Sequence, residues 1–266
     1  MDGPPVVPLT FHLTQLDAVA WLRTLPSESI DLLITDPPYE SLEKHRAVGT
    51  TTRLKHSKSS SNDWFSIFHN DRFPELFAEV YRVLRRNTHF YLFCDPETMF
   101  VAKPIAEIAG FKFWKPLIWD KCKIGMGYHY RARYECILFF EKGKRKLSNL
   151  GVADILQASR ISGGYPAEKP PVLSEVLITQ STEPGQLVID PFMGSGSVGV
   201  AAVTNGRMFW GNDLCKEAVD ITRDRLRDAG AVELRTIALP AQAGQVGQLG
   251  IAGLAGGQGA PGGGGR

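Results

Sequence analysis

The sequence predicts an α/β fold in which a mostly parallel, seven-stranded sheet carries helices on both faces. Short runs rich in β-branched residues alternate with amphipathic stretches of helix length, a pattern typical of parallel sheets. Three predicted strands end directly in an Asp-Pro pair, at Asp36, Asp95 and Asp190. Because proline has no N–H to donate to a neighbouring strand, each pair marks a loop at a strand's carboxyl end, where open α/β sheets bind their ligands.

The predicted elements alternate in a regular order. The strands are expected at residues 9–13, 30–35, 89–94, 113–119, 135–141, 186–189 and 207–212. The helices are expected at residues 18–25, 73–85, 96–109, 171–180, 197–205 and 214–229. This order and the chain length favour a single domain that spans residues 1–239. It is followed by a Gly-rich tail, residues 240–266, which we expect to be disordered because it cannot bury enough surface to fold.

Composition excludes several classes of protein. Apolar residues make up 43% of the chain and charged residues 22%, as in ordinary packed domains. No apolar run approaches the roughly 18 residues of a membrane-spanning helix, and the N-terminus lacks the features of a signal peptide. The 4 cysteines form no C-x-x-C pair, which argues against a zinc site and a disulfide framework. We therefore expect a cytoplasmic protein with neither a metal nor a membrane contact.

Positive charge is concentrated in two segments although the net charge is only +2. Residues 41–60 hold five Lys or Arg against one Glu, and residues 112–146 hold ten against three acidic residues. Such segments can neutralise phosphates; the alternative is that they are solvated surface with no ligand. Residues 41–62 are polar and show no periodicity, so they are predicted to form a long, mobile basic loop.

A glycine-rich loop follows the sixth predicted strand. Residues 187–199 read LVIDPFMGSGSVG, a strand, a tight turn and the start of a helix. Gly194 and Gly196 lack Cβ atoms, so a nucleotide-type ligand can lie against the backbone. Asp213 follows Asp190 by 23 residues, which suits hydrogen bonds to ribose hydroxyls. Asp190 would repel a pyrophosphate and attract a cation, which favours S-adenosylmethionine over a dinucleotide; a purely structural turn is the third alternative.

The second motif is Asp36-Pro37-Pro38-Tyr39, at the end of the second predicted strand. It suits methylation of an exocyclic amine such as adenine N6, whose lone pair is delocalised into the ring. If the amine donated one N–H to the Asp36 carboxylate and the other to the Pro37 carbonyl, its nitrogen would tend to become pyramidal and its lone pair would be free. Tyr39 offers a face on which a base taken out of a duplex can stack. The alternative is an ordinary turn after a strand.

With both motifs in place, residues 9–229 resemble the β group of S-adenosylmethionine-dependent amino-methyltransferases of DNA. The resemblance implies a Rossmann-like methyltransferase fold with a circularly permuted order of motifs. Leu16-Asp17 is similar to the family's Gly-Asp motif, and residues 165–170 (YPAEKP) are similar to its His-Pro-x-x-Lys-Pro motif. The implied catalytic residues are Asp36, Pro37, Pro38 and Tyr39. The implied cofactor-binding residues are Asp17, Lys169, Asp190, Phe192, Gly194, Ser195, Gly196, Asn212 and Asp213.

Four positions depart from the family's pattern: Tyr165 replaces His, Leu16 replaces Gly, Ser197 replaces Thr, and Asp213 replaces Glu. An Asp at the head of the catalytic motif is more typical of N6-adenine enzymes than of N4-cytosine enzymes, which more often carry Ser. We therefore expect an enzyme that flips adenine out of duplex DNA and methylates N6, with N4 of cytosine as the alternative. Methylation of RNA or of a protein glutamine, and a non-catalytic DNA-binding module, are the other hypotheses.

Recognition of the DNA sequence is expected to involve residues 142–164, a short segment rich in Lys and Arg, together with the loop 41–62. The alternative is that this segment contacts phosphates only, which positions DNA without specifying a sequence. The predicted DNA-contacting residues are Lys44, Arg46, Arg53, Lys55, Lys58, Arg131, Arg133, Lys142, Lys144 and Arg145. The resemblance also makes a homodimer a reasonable expectation.

Overall fold

The computed structural model describes residues 9–40, 66–125, 129–161 and 168–234. The predicted loop 41–62, the tail 240–266 and Tyr165 therefore lie outside the described residues, as do positions 162–164 of the predicted recognition segment. All of the predicted strands and helices fall inside the described ranges.

The described strands form one mixed sheet. They are β1 (Thr10–Thr14), β2 (Ile30–Thr35), β3 (Leu84–Cys94), β4 (Lys112–Asp120), β5 (Tyr134–Lys142), β6 (Ile155–Gln157), β7 (Leu187–Asp190), β8 (Met208–Asn212) and β9 (Val232–Glu233). Their order is β6-β4-β5-β3-β2-β7-β8-β1-β9. β5 runs antiparallel to its neighbours β3 and β4, and the other neighbouring pairs are parallel.

The fold class is as expected, but the sheet has 9 strands rather than seven. The two strands that sequence analysis missed, β6 and β9, have 3 and 2 residues and lie at opposite edges of the sheet. Runs this short carry no periodic pattern of their own. They are strands only because they pair with β4 and β1.

Helices cover both faces of the sheet. They are α1 (Ala18–Thr24), α2 (Phe73–Val83), α3 (Pro96–Ile108), α4 (Pro171–Ser181), α5 (Ser197–Thr204) and α6 (Lys216–Asp228), with a 3-10 turn at Asn70–Arg72 before α2. Each end lies within two residues of its predicted position. None of the helices in the described ranges is long and apolar enough to cross a membrane.

Two separate hydrophobic cores result from this arrangement. One core packs the sheet against α1, α2 and α3 and includes Leu33 and Phe90. The other packs it against α4, α5 and α6 and includes Leu32 and Tyr91. Successive residues of a strand point to opposite faces, so the central strands bury both faces and read as nearly continuous apolar runs.

The three Asp-Pro pairs have different roles. Asp95 caps α3, where its side chain accepts the N–H of Thr98 at 2.7 Å. The other two pairs follow β2 and β7, which are adjacent in the centre of the sheet. There the Thr35 hydroxyl donates to Asp190 at 2.8 Å and joins the two strand ends. Because β2, β7, β8 and β1 are consecutive in the sheet, the residues after their carboxyl ends meet at one edge.

Candidate active site

A cavity of about 580 Å³ lies at the carboxyl ends of β1, β2, β7 and β8. Its walls combine the two motifs that the sequence singled out, residues 36–39 and the glycine loop, residues 190–196. Every predicted catalytic and cofactor-binding residue lines the cavity except Gly196. The lining also includes Phe68, Arg72, Glu135 and Ser174, which no motif had identified.

The glycine loop folds against the end of β8. The Met193 N–H donates to the Asn212 carbonyl at 3.0 Å, and the Gly194 N–H donates to the Asp213 carboxylate at 2.9 Å. Gly194 and Gly196 have φ angles of 51° and 79°, in the left-handed region that disfavours a Cβ. The turn therefore requires glycine at both positions, and it directs one of its N–H groups at a carboxylate of the protein itself.

We expect Gly196→Ala to destabilise the fold by about 3 kcal/mol or more. The added Cβ would lie 2.6 Å from Cγ2 of Thr222, in addition to the cost of the positive φ. Gly185→Ala is a matched control, because its φ is 81° but no atom lies within 4 Å of its added Cβ. Urea unfolding of both variants measures the difference. Equal losses of stability would contradict close packing of Gly196 on α6.

Two acidic side chains, the buried Asp190 and the half-buried Asp213, line this part of the cavity. Asp190 is 3% exposed. Its burial, reinforced by the charges of Asp36 and Asp213, raises its pKa to about 8. Burial likewise raises the pKa of Asp213, although the N–H groups of Cys215 and Gly194 stabilise its anion. Neither Asp190 nor Asp213 forms an ion pair with a residue in the described part of the chain.

This arrangement fits S-adenosylmethionine better than a dinucleotide. A pyrophosphate needs free N–H groups at the loop, but the Gly194 N–H already serves Asp213 and two carboxylates lie beside it. A sulfonium and an α-amino group would supply the missing positive charge. The Ser174 hydroxyl also lines the cavity, and it is buried with no hydrogen-bond partner among the described residues. It is therefore free to bind a polar group of the ligand.

Asp17 and Asn212 hold the rim of the cavity together. Asp17 caps α1, and Arg72 donates to its two oxygens at 2.8 and 3.0 Å, which lowers the pKa of Asp17. The Asn212 side chain accepts the Leu16 N–H at 3.0 Å and donates to the carbonyls of Leu16 and Pro191. Asn212 therefore joins two loops of the site, a role that its position in the sequence could not show.

An aromatic wall was not predicted from the sequence. The Phe68 and Phe192 rings meet edge to face with their centroids 5.1 Å apart, and the Arg72 guanidinium lies 4.9 Å from the Phe68 centroid. Phe68 and Arg72 belong to no motif. They follow the predicted basic loop in the chain, and only the tertiary structure brings them beside Phe192.

The Asp36 carboxylate is surrounded by donors and charges. The Tyr39 hydroxyl donates to Oδ1, and Lys169 Nζ donates to Oδ2. Lys169 Nζ also lies 3.5 Å from Oε2 of Glu135, whose other oxygen accepts from Lys121. Lys121, Glu135, Lys169 and Asp36 thus form a chain of alternating charge. Lys169, predicted as a cofactor-binding residue, contacts Asp36, the predicted catalytic carboxylate, as well as lining the shared cavity.

Burial and neighbouring charge compete in this cluster. Burial raises the pKa of Asp36, opposed by the charge of Lys169. Burial would also raise the pKa of Glu135, but the charges of Lys169 and Lys121 outweigh it and lower that pKa. Burial alone would lower the pKa of Lys169, but the charges of Asp36 and Glu135 keep it raised. Lys169 is therefore an ammonium held between two carboxyl groups at neutral pH.

The rest of the predicted catalytic motif leaves one acceptor unused. The Pro38 carbonyl accepts the Phe68 N–H at 2.8 Å. In contrast, no donor in the described part of the chain reaches the Pro37 carbonyl. Tyr39 is 7% exposed, and its ring lines the cavity. The cavity therefore holds an acceptor carbonyl and a carboxylate from consecutive residues.

The predicted DNA-contacting residues fall into several groups. Five of them lie outside the described residues: Lys44, Arg46, Arg53, Lys55 and Lys58. Arg131 and Lys144 are exposed, and Arg145 is half-buried. Arg133 is also exposed, but Asp120 accepts two hydrogen bonds from its guanidinium at 2.6 and 2.7 Å.

The structure removes Lys142 from this set. Its side chain is 7% exposed, and Nζ donates to the carbonyls of Tyr81 and Leu84 at 2.7 and 2.6 Å. Nζ also lies 3.5 Å from Glu28. Lys142 therefore connects the end of β5 to the end of α2 and the start of β3. The count of charges along the sequence gave no information on which way this side chain points.

Known proteins are similar to this chain in sequence and in fold. Residues 30–224 match the family model of DNA methylases. The DNA adenine methyltransferase YhdJ of Escherichia coli (strain K12) is 26% identical over 250 residues, covering 79% of this chain and 80% of that protein.

Solved structures share the fold. The structure of M1.HpyAVI in complex with SAM superposes with a TM-score of 0.60 at 22% identity, covering 82% of this chain and 100% of the other. The cytosine-N4-specific PvuII DNA methyltransferase gives a TM-score of 0.62 at 19% identity, covering 82% and 87%. At these identities the likeness establishes the fold alone.

Proposed function

This chain belongs to the DNA methylase family, and we propose that it transfers a methyl group to N6 of an adenine flipped out of duplex DNA. It is an amino-methyltransferase of DNA, and its methyl donor is S-adenosylmethionine. The observation that carries the proposal is the meeting of Asp36, Pro37 and the glycine loop in one cavity.

The cofactor supplies an electrophilic methyl group on a sulfonium when it is bound. The residues proposed to hold it are the glycine loop together with Asp190 and Asp213, whose carboxyl groups the cation stabilises as anions. Asp17 and Phe192 line the same cavity and are proposed to contact it as well. Ser174 adds an unused hydroxyl.

Two acceptors are proposed to activate the amine. Adenine N6 is a weak nucleophile, and hydrogen bonds from its two N–H groups to the Asp36 carboxylate and the Pro37 carbonyl favour a pyramidal nitrogen. The lone pair of that nitrogen can then attack the methyl carbon of the sulfonium in line, so that positioning supplies much of the acceleration. Burial raises the pKa of Asp36, which makes this carboxylate a stronger base for the proton that the amine loses.

Base flipping is proposed because the target amine lies inside the DNA duplex. In a duplex the amine is paired inside the helix, so the base has to leave the stack before it can enter a cavity. The rings of Tyr39, Phe68 and Phe192 line the cavity and offer faces for stacking. An Asp at the head of the catalytic motif favours adenine over cytosine as that base.

Contacts to the DNA backbone are proposed for Arg131, Lys144, Arg145 and the basic segment 41–62. Arg133 is a weaker candidate because Asp120 already holds its guanidinium. Phosphate contacts of this kind make DNA binding weaker as the salt concentration rises.

Mass spectrometry of nucleosides tests the proposal. Unmethylated DNA is incubated with the protein and S-adenosylmethionine and then digested. We expect N6-methyladenine. N4-methylcytosine would keep the chemistry and overturn the target base. Unmodified DNA together with methylated RNA under the same conditions would overturn DNA as the substrate.

The protonation of Asp190 gives a prediction on cofactor affinity. Its pKa of about 8 means that the carboxyl gains charge between pH 7 and pH 9, and the anion attracts a cation. We expect the wild type to bind S-adenosylmethionine more tightly than Asp190→Asn, by a factor that grows over this interval. Calorimetry of both proteins at each pH gives the ratio of their affinities for the cofactor. Protonation of the ligand itself affects both proteins equally and cancels in this ratio. A ratio that is constant or falls with pH would contradict the role of Asp190.

A further inference from the structure

The Lys169 ammonium occupies the place where the target amine is expected to donate. Nζ donates to Oδ2 of Asp36, and the Tyr39 hydroxyl donates to Oδ1. The Lys169 side chain is only 14% exposed. An amine that donates to Asp36 therefore competes with this ammonium for the carboxylate, and a largely buried ammonium needs another counter-charge when it moves.

A second carboxylate lies within reach of Lys169. Oε2 of Glu135 is 3.5 Å from Nζ, which is longer than an ordinary N–H···O hydrogen bond. This oxygen is buried and has no hydrogen-bond partner among the described residues, whereas Oε1 accepts from Lys121. A buried acceptor without a partner is costly unless another state of the protein uses it.

We propose that Glu135 is a positioning residue, whose Oε2 accepts the Lys169 ammonium when the target amine donates to Asp36. This inference rests on the proposed function. The exchange keeps one partly buried ion pair throughout, Lys169 with Asp36 before the base enters and Lys169 with Glu135 afterwards. Without Glu135 the ammonium would stay on Asp36 and keep the amine out.

The neighbours of Glu135 keep its side chain close to Lys169. It lies opposite Trp119 in the register of β5 against β4, and Lys121 follows directly after β4. Lys121 Nζ lies 4.9 Å from the Trp119 ring centroid, and the Lys121 side chain is only 8% exposed, so packing restrains the ion pair that it forms with Glu135. On the other side, Lys169 Nζ lies 5.7 Å from the Phe93 ring centroid. The ammonium thus needs only a short displacement between two carboxylates.

Two substitutions separate the charge of Glu135 from its shape. Glu135→Gln keeps the size but removes the charge, and Glu135→Asp keeps the charge on a shorter side chain. We expect the single-turnover methylation of unmethylated plasmid DNA to slow by about 10- to 100-fold in the Gln variant. The Asp variant should fall between the Gln variant and the wild type. Calorimetry should show affinity for S-adenosylmethionine within about threefold of wild type in both.

Glu107→Gln is the matched control, because it makes the same replacement on a carboxylate paired with a lysine, but on the surface of α3. Glu107 accepts from Lys103 at 2.7 Å, and the two side chains are 42% and 41% exposed. Its methylation rate should stay within about twofold of wild type.

The order of the variants decides the proposal. A structural role predicts that Gln, the isostere, is more active than Asp, and that order would overturn the role of the charge. A Gln variant that loses cofactor binding together with methylation would overturn it too. If the wild type binds S-adenosylmethionine and leaves DNA unmodified, the proposed function fails first, and the role of Glu135 fails with it.

Discussion

Asp36→Asn is expected to lower the single-turnover rate constant of methylation by about 10³-fold or more, while S-adenosylmethionine still binds. The amide keeps the shape of the carboxylate but can accept through only one oxygen and cannot take the proton from the amine. Lys169 keeps a counter-charge in this variant, because Glu135 lies 3.5 Å from its Nζ. Quenched reactions with nucleoside mass spectrometry give the rate constant, and calorimetry gives the affinity.

The matched control for this variant is Asp31→Asn. Asp31 is a buried carboxyl within β2, whereas Asp36 follows the strand. Asp31 pairs with Arg85 and accepts the Leu187 N–H at 2.9 Å at the other end of the strand. Its replacement should lower stability and leave the methylation rate of the folded protein close to that of wild type. An Asp36→Asn protein with wild-type activity would remove Asp36 from the chemistry.

The second large effect is expected on the cofactor side. Asp213→Ala should weaken S-adenosylmethionine binding by about 10- to 100-fold, because it removes a negative charge from the cavity and frees the glycine loop. The Asp213 carboxylate accepts the N–H groups of Gly194 and Cys215, each at 2.9 Å. Both restraints disappear with the side chain. Calorimetric titration measures the affinity directly.

Two further variants isolate the cause of that loss. Asp213→Asn keeps an acceptor near Gly194 but removes the charge, so its affinity should fall between that of the Ala variant and the wild type. Asp220→Ala removes an exposed carboxylate of α6 that pairs with Lys216 and Arg223 and does not line the cavity. It should bind the cofactor normally. Unchanged affinity in Asp213→Ala would place this residue outside the cofactor site.

The chain order of the elements and the two motifs were predictable from the sequence, because each rests on local chemistry. The predicted helix ends lie close to the observed ones, since apolar periodicity and proline act within a few residues. The Asp-Pro pairs at Asp36 and Asp190 mark the cavity because a parallel sheet brings the carboxyl ends of its strands to one edge. The third pair, at Asp95, has the same sequence pattern but caps a helix.

The amino-acid sequence by itself thus determined the fold class and the glycine loop of this protein, and it indicated the candidate catalytic motif. Only the tertiary structure decided which charges are buried and what each of them faces. Lys142 donates hydrogen bonds to backbone carbonyls instead of being available to DNA. Glu135 lies beside Lys169, which is 34 positions away in the chain. The physical reason is that burial and partners depend on contacts between distant segments, whereas periodicity, turns and motifs depend on neighbours in the chain.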